Sequence, residues 1–297
     1  MIHTISDKNL TAKIDTLGSQ LISLTDKNGT EYIWQREAPY WSDCAPIPFP
    51  VVGRCKNGVI TVDGKDYPMA ECHGFAPISE FTTVSATENS VTLQLCDSEY
   101  TRAKYPFSFC FEVTHKIEND TLSVILRVVN TSDKDMPFGV GGHPGFRLPL
   151  ADGETFTDYE LDFGKPVTLD STCVDEQFQI SATLARRILT DSQTLPLERE
   201  LFVPDALIFE NPPFHTVLLK HKKNGKGIRF SFENFTTFAL WTETLPVKAD
   251  FLCLEPWNGM GTRSDEGTEL VKKKGTVVIA PQKEFVCSYN MSPLSIL

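Results

Sequence analysis

Long apolar runs are missing from this chain. None approaches the ~20 residues that a membrane-spanning helix needs, so no such helix is expected. The first ten residues, MIHTISDKNL, lack the basic-then-apolar run of a secretory leader, and none is expected. Basic residues are scarce beside acidic ones: 28 Lys and Arg stand against 39 Asp and Glu, a net charge of −11. That balance excludes a general nucleic-acid surface, which needs clustered Lys and Arg to displace counterions. It also mildly disfavours strongly anionic ligands. The eight cysteines show no CxxC pair and no regular spacing, so they read as buried thiols of a reducing, cytoplasmic protein. There is no GxSxG elbow for a serine nucleophile. No HxH or HExxH places two metal ligands on one element. No cysteine has an adjacent basic context that would clearly lower its pKa. Repeats, low-complexity tracts and linkers are absent as well, and residues 1–297 are expected to form one domain.

No segment sustains a helical period; Leu184 to Leu189 is at most a short helix. Strand signals dominate instead. Phe107, Phe109, Phe111, Val113, His115 and Ile117 alternate with polar residues, the period of a strand with one buried face. Thr121 to Asn130 (TLSVILRVVN) is nearly continuous in β-branched and apolar residues, as expected of a strand covered on both sides. Val59 to Val62 and Lys65 to Tyr67 flank Asp63–Gly64, the dipeptide that a type I′ hairpin turn favours. Further strands are expected at 21–25, 79–85, 91–96, 206–210, 215–220, 228–232, 236–241, 251–254, 276–280 and 284–290. Many short strands with regular turns give an all-β reading: one large, mostly antiparallel sandwich or barrel with less than about a tenth of its residues helical.

Five polar side chains sit where the local sequence restrains them. His143 lies in FGVGGHPGFRLPL, from Phe138 to Leu150. Glycines before it let the backbone approach something closely, and Pro144 biases it toward extended geometry. It is either an aimed proton-transfer group or a turn cap. His73, in ECHGF, is followed by Gly74 and Phe75; a satisfied core histidine is the competing reading. Glu255 ends the apolar run FLCLEPW and is held extended by Pro256. A carboxylate at the end of a buried strand is costly unless paired or functional. Arg54 closes PIPFPVVGR, and its fork of donors suits hydroxyl or carboxylate oxygens, or a surface salt bridge. Asp205, after Pro204, is a strand-start aspartate or a ligand group. Of Trp34, Trp41, Trp241 and Trp257, the last is the best candidate for a pocket wall. Trp34 and Trp241 read as core. His73, His143 and Glu255 could in principle hold a zinc or iron ion, but their dispersal makes that a minor alternative.

Taken together, GR at 53–54, HGF at 73–75, YPFSF at 105–109, GGHPGF at 141–146 and LEPWNG at 254–259 resemble the galactose mutarotase (aldose 1-epimerase) family, and its LacX-type branch in particular. The resemblance runs from about Ile14 to the C-terminus. It implies a large galactose mutarotase-like β-sandwich, a small-molecule sugar substrate and no cofactor or metal. It assigns His143 as general acid on the sugar ring oxygen and His73 as a hydrogen-bonding partner that orients the ring. Glu255 becomes the general base on the C1 hydroxyl, with Arg54, Asp205 and Trp257 as substrate-binding residues. Neither nucleic acid nor membrane is implied, and the state expected is monomer or homodimer. Two other functions stay open at this point: a mutarotase of hexose 6-phosphates, and a non-catalytic sugar-binding protein on the same fold.

Overall fold

A computed structural model describes residues 1–175, 179–244 and 248–294. Most of the strands join one 14-stranded antiparallel sheet. From one edge its path runs through Val140–Gly141, Phe251–Asn258, Thr237–Trp241, Leu207–Glu210, Tyr159–Val174 and Thr216–His221. It continues through Gly227–Glu233, Glu284–Leu294, Thr121–Asn130, Phe109–Glu118, Ser90–Cys96 and Thr82–Ala86. Gly145–Arg147 also pairs with Phe251–Asn258, and Ile180–Pro196 with Tyr159–Val174. A three-stranded sheet (Ile2–Ser6, Leu10–Asp15, Gln20–Asp26) and two two-stranded ribbons complete the all-β sandwich. Helix amounts to 7% of the chain. No helix among the described residues is long and apolar enough to cross a membrane.

The alternation read from Phe107 onward appears as buried Phe109, Phe111, Val113, His115 and Ile117 with half-buried residues between. These inward side chains enter one continuous core, where Phe49 stacks on Phe111 with ring centroids 4.6 Å apart. Asp63 and Gly64 both take positive φ, 51° and 74°, as a type I′ turn requires.

Two expectations are corrected. Thr121–Asn130 is not covered on both sides: its burial alternates strictly, with Ile125 and Val129 on the half-exposed face. Leu184 to Leu189 is strand, within Ile180–Pro196. Register shifts against Tyr159–Val174 break the period there, which is why its apolar residues do not alternate cleanly.

Candidate active site

The strand Phe251–Asn258 carries the site. It is buried along its whole length, yet Glu255 lies in it with 1% of its surface exposed. Two short segments pair with its edge in a common register, Gly141 opposite Trp257 and Gly145 opposite Cys253. The chain between them therefore sets His143 opposite Glu255. Flanking backbone bonds fix the arrangement: the Gly142 N–H donates to Pro256 O at 3.0 Å, and the Leu254 N–H to Pro144 O at 3.1 Å. His143 Nε2 lies 3.0 Å from Glu255 Oε2. The glycines before His143 serve close approach. A Cβ on Gly142 would stand 2.4 Å from the Tyr289 ring, which is itself buried.

His73 reaches the same place from another part of the chain. Its φ is +65°, and Gly74 follows at +76°, a left-handed step that turns the ring inward. The His73 N–H donates to Gly53 O at 3.0 Å, and the Gly53 N–H donates to His73 Nδ1 at 3.2 Å. That second bond makes Nδ1 the acceptor and leaves the proton of the neutral ring on Nε2. The rings of His73 and His143 meet edge to face, centroids 5.1 Å apart, and Trp257 lies 6.3 Å from His73.

Trp41 and Trp241 flank His143 at 5.2 and 5.8 Å and touch each other at 5.5 Å. Trp34 is core, as expected, donating its indole N–H to Trp41 O. Trp241, read as core, packs on the core but also presents its ring to His143. Trp41 had no local signal that set it beside a histidine a hundred residues away. The same is true of Glu243, whose charge acts on Asp205, and of Cys72, which feels Arg54, Glu255 and Asp205.

Burial controls the electrostatics. It pushes His143 well below the usual imidazole range, and His73 adds to the effect. It pushes Glu255 well above the usual carboxylate range, reinforced by Asp205. The Trp257 indole acts weakly the other way without completing a hydrogen bond. His73, which keeps a partly exposed surface, is brought down to about 4 by enclosure of its ring and by Arg54. Burial and Glu243 raise Asp205, against the Ala206 N–H (2.7 Å) and Arg54. The ordinary pKa values of the free side chains, which would give an anionic Glu and a partly protonated His near neutrality, do not carry over. Burial instead disfavours the charged form of both members of the pair. His143 Nδ1, Glu255 Oε2 and Trp257 Nε1 are buried without hydrogen-bond partners; the His143 Nε2–Glu255 Oε2 approach is a close charge-type contact without hydrogen-bond geometry.

Arg54 is exposed, and its backbone O accepts from Thr262 N and Oγ1 at 3.1 and 2.9 Å. Its charge nonetheless reaches His73, Cys72 and Asp205. Metal-like spacing among the described residues falls on His143, Cys253 and Glu255, whose ligand atoms lie within 4.8 Å of one another. The two-histidine set with His73 is not that cluster. Burial, Glu255 and Cys44 push the Cys253 thiol well up, away from the thiolate that binds zinc. A cavity of about 500 Å³ lies elsewhere, beside Arg263 and Lys272 to Lys274, and its cations are engaged by Asp265, Glu269, Glu266 and Glu210.

This large antiparallel β-sandwich is a galactose mutarotase-like fold. The chain belongs to the aldose 1-epimerase family, whose model matches residues 1–273. Protein LacX of Lactococcus lactis subsp. lactis is 32% identical over 303 residues, covering 98% of this chain and all of that protein. The galactose mutarotase related enzyme of Lactobacillus acidophilus superposes with a TM-score of 0.94 at 33% identity, covering 100% of this chain and 98% of that one. A galactose mutarotase-like protein from Lactobacillus casei gives 0.92 at 26% identity, covering 99% and 100%.

Proposed function

We propose that this protein is a cytoplasmic aldose 1-epimerase that interconverts the α and β anomers of an unphosphorylated hexose. The observation that carries the reading is the buried His143–Glu255 contact at 3.0 Å. Anomerisation moves two protons at adjacent oxygens, since the C1 hydroxyl and the ring oxygen are both bonded to C1. Neighbouring acid and base groups therefore suit it, and they need not stand on opposite sides of the sugar. Glu255 takes the C1 hydroxyl proton while His143 gives a proton to the ring oxygen. The C1–O5 bond breaks to the open aldehyde, C1–C2 rotates, and closure on the other carbonyl face reverses both transfers. Opening converts the His⁺/Glu⁻ form of the pair to the His/GluH form, with the same total of one proton. Burial favours the His/GluH form reached on opening and disfavours the His⁺/Glu⁻ form that starts it. His73 donates from Nε2 to orient the ring, while Trp257, Arg54 and Asp205 hold it. The steps are proton transfers alone and call on no metal or cofactor.

A phosphorylated substrate would need two or more cations converging on the phosphate. Arg102 pairs with Asp97 and Lys104 with Glu71. Asp205 and Glu243 bring negative charge to the site. A neutral hexose is the better match. Polarimetry on freshly dissolved α-D-glucose, α-D-galactose and their 6-phosphates tests this: a free sugar should equilibrate faster with the protein than without it. Acceleration confined to the phosphates would reverse the substrate class. Binding without acceleration would leave a sugar-binding protein.

A further inference from the structure

Cys96 and Cys110 are direct register partners on the neighbouring strands Ser90–Cys96 and Phe109–Glu118. The next pair along, Asp97 and Phe109, is joined by the ladder bond from the Asp97 N–H to Phe109 O at 3.1 Å. Hydrogen-bonded and non-hydrogen-bonded pairs alternate, so Cys96 and Cys110 occupy a non-hydrogen-bonded position. At such positions the Cα atoms stand about 4.5 Å apart, with the side chains at their closest. That falls inside the ~4.4–6.8 Å range from which a disulfide closes without backbone movement. The Cys96 thiol stands near enough to Cys110 to raise its pKa. Both are free; Cys96 is exposed and Cys110 half-buried on the outward face. A thiol-to-amide contact, Cys96 Sγ to Gln94 Oε1 at 3.3 Å, leaves Cys96 open to solvent.

We propose that Cys96 and Cys110 form a reversible dithiol–disulfide site, oxidised by a low-molecular-weight disulfide such as oxidised glutathione. The exposed Cys96 thiolate attacks one sulfur of the oxidant, forming a mixed disulfide and releasing one small thiolate. Cys110 loses its proton and attacks the Cys96 sulfur; the S–S bond between the two residues forms and the second small thiolate leaves. The protein gives up two electrons and two protons, and the oxidant takes them up as two thiols. Burial and the neighbouring Cys96 hold the Cys110 thiol up at about 12, so closure is slow at neutral pH and quickens as pH rises. The bond would close a 15-residue segment from Cys96 to Cys110. That segment carries Lys104, paired with Glu71 two residues before His73, and Tyr105, packed on Phe49 and Phe75. Oxidation thus staples the loop that backs the His73 turn, a property independent of the proposed reaction.

The test is incubation of the full chain with oxidised glutathione, followed by intact mass, thiol titration and peptide mapping. The expected result is loss of two hydrogens, two of the eight thiols lost, a 96–110 crosslink reversed by reductant, and a thermal midpoint raised by up to about 5 °C. Cys96→Ser, at the exposed site, should abolish the loss of two hydrogens and the shift, while Cys110→Ser should stop at a reductant-sensitive glutathione adduct of Cys96 with no crosslink and no shift. A stable glutathione adduct that never closes in the wild-type chain, a crosslink between other cysteines, or loss of two hydrogens persisting in Cys96→Ser would overturn the proposal. So would a crosslinked protein with a lowered midpoint.

Discussion

Replacing Gly74 by alanine isolates how the His73 turn is held. Gly74 has φ +76°, and a Cβ there would lie 2.4 Å from Phe49 O, 2.7 Å from Phe49 C and 2.9 Å from Pro50 Cδ. Two of those three atoms are backbone, and all belong to a segment bonded to the turn through the Phe49 N–H to His73 O contact of 3.1 Å. The left-handed conformation costs an alanine about 1–2 kcal/mol. Relieving a contact with rigid neighbours adds about 1–3 kcal/mol. The total, about 2–5 kcal/mol, is a large share of a typical ~5–15 kcal/mol stability. Gly64 is the control, since its φ is +74° but nothing lies within 4 Å of its Cβ position. Gly64→Ala should therefore lose only the ~1–2 kcal/mol conformational part. Urea unfolding reads the difference between the two variants. Because the same shift moves His73, Gly74→Ala should also lose roughly 10- to 100-fold in turnover, while Gly64→Ala keeps its rate. Equal urea midpoints and equal rates for the two variants would show that Gly74 holds the turn no more tightly than an open glycine does.

Three further outcomes follow from the same geometry. His115 is fully buried, its Nε2 donates to Ser19 O at 3.0 Å, and burial holds its pKa at about 4. The unfolded chain takes up a proton below pH ~6.5 that the folded ring refuses, so stability falls as pH drops from about 6.5 towards 4. His115→Gln should flatten that slope by at most about 1.4 kcal/mol per pH unit, and an unchanged slope in denaturant titrations would contradict the assignment. Asp205→Asn should raise KM roughly tenfold through loss of a charged hydrogen bond, with kcat within a few-fold; an unchanged KM would remove Asp205 from the sugar site. Turnover should survive EDTA dialysis, and its loss, restored by added zinc, would favour a metal at His143, Cys253 and Glu255.

Legibility in the sequence followed the range of the interactions. The Phe109–Glu118 strand and the Asp63–Gly64 turn are set by neighbours one to three residues apart, and both were readable. In Thr121–Asn130 the apolar Ile125 and Val129 lie on the half-exposed face and hide the period of two. Tyr159–Val174 carries no clean strand signal: Gly164 and Pro166 interrupt it, and it bends through register shifts. Within the site, Pro256 after Glu255 and Gly74 after His73 marked constrained backbone. The register that sets His143 against Glu255 depends on pairing across more than a hundred residues, and no local signal reports it. The reversed pKa directions arise from burial, which becomes visible only once the strands are assembled. Trp41 entered the site the same way.

If His143 and Glu255 exchange protons with a sugar, polarimetry on Glu255→Gln and His143→Asn beside the wild type will show it in the turnover. Both replacements keep approximate size and some hydrogen bonding while removing the titrating group. On the free hexose that the wild type handles best, each should lose about 10²-fold or more in kcat, with sugar binding much less affected. The double variant should lose less than the product of the two, because the groups act in one exchange. Wild-type turnover in Glu255→Gln would mean that Glu255 is not the base.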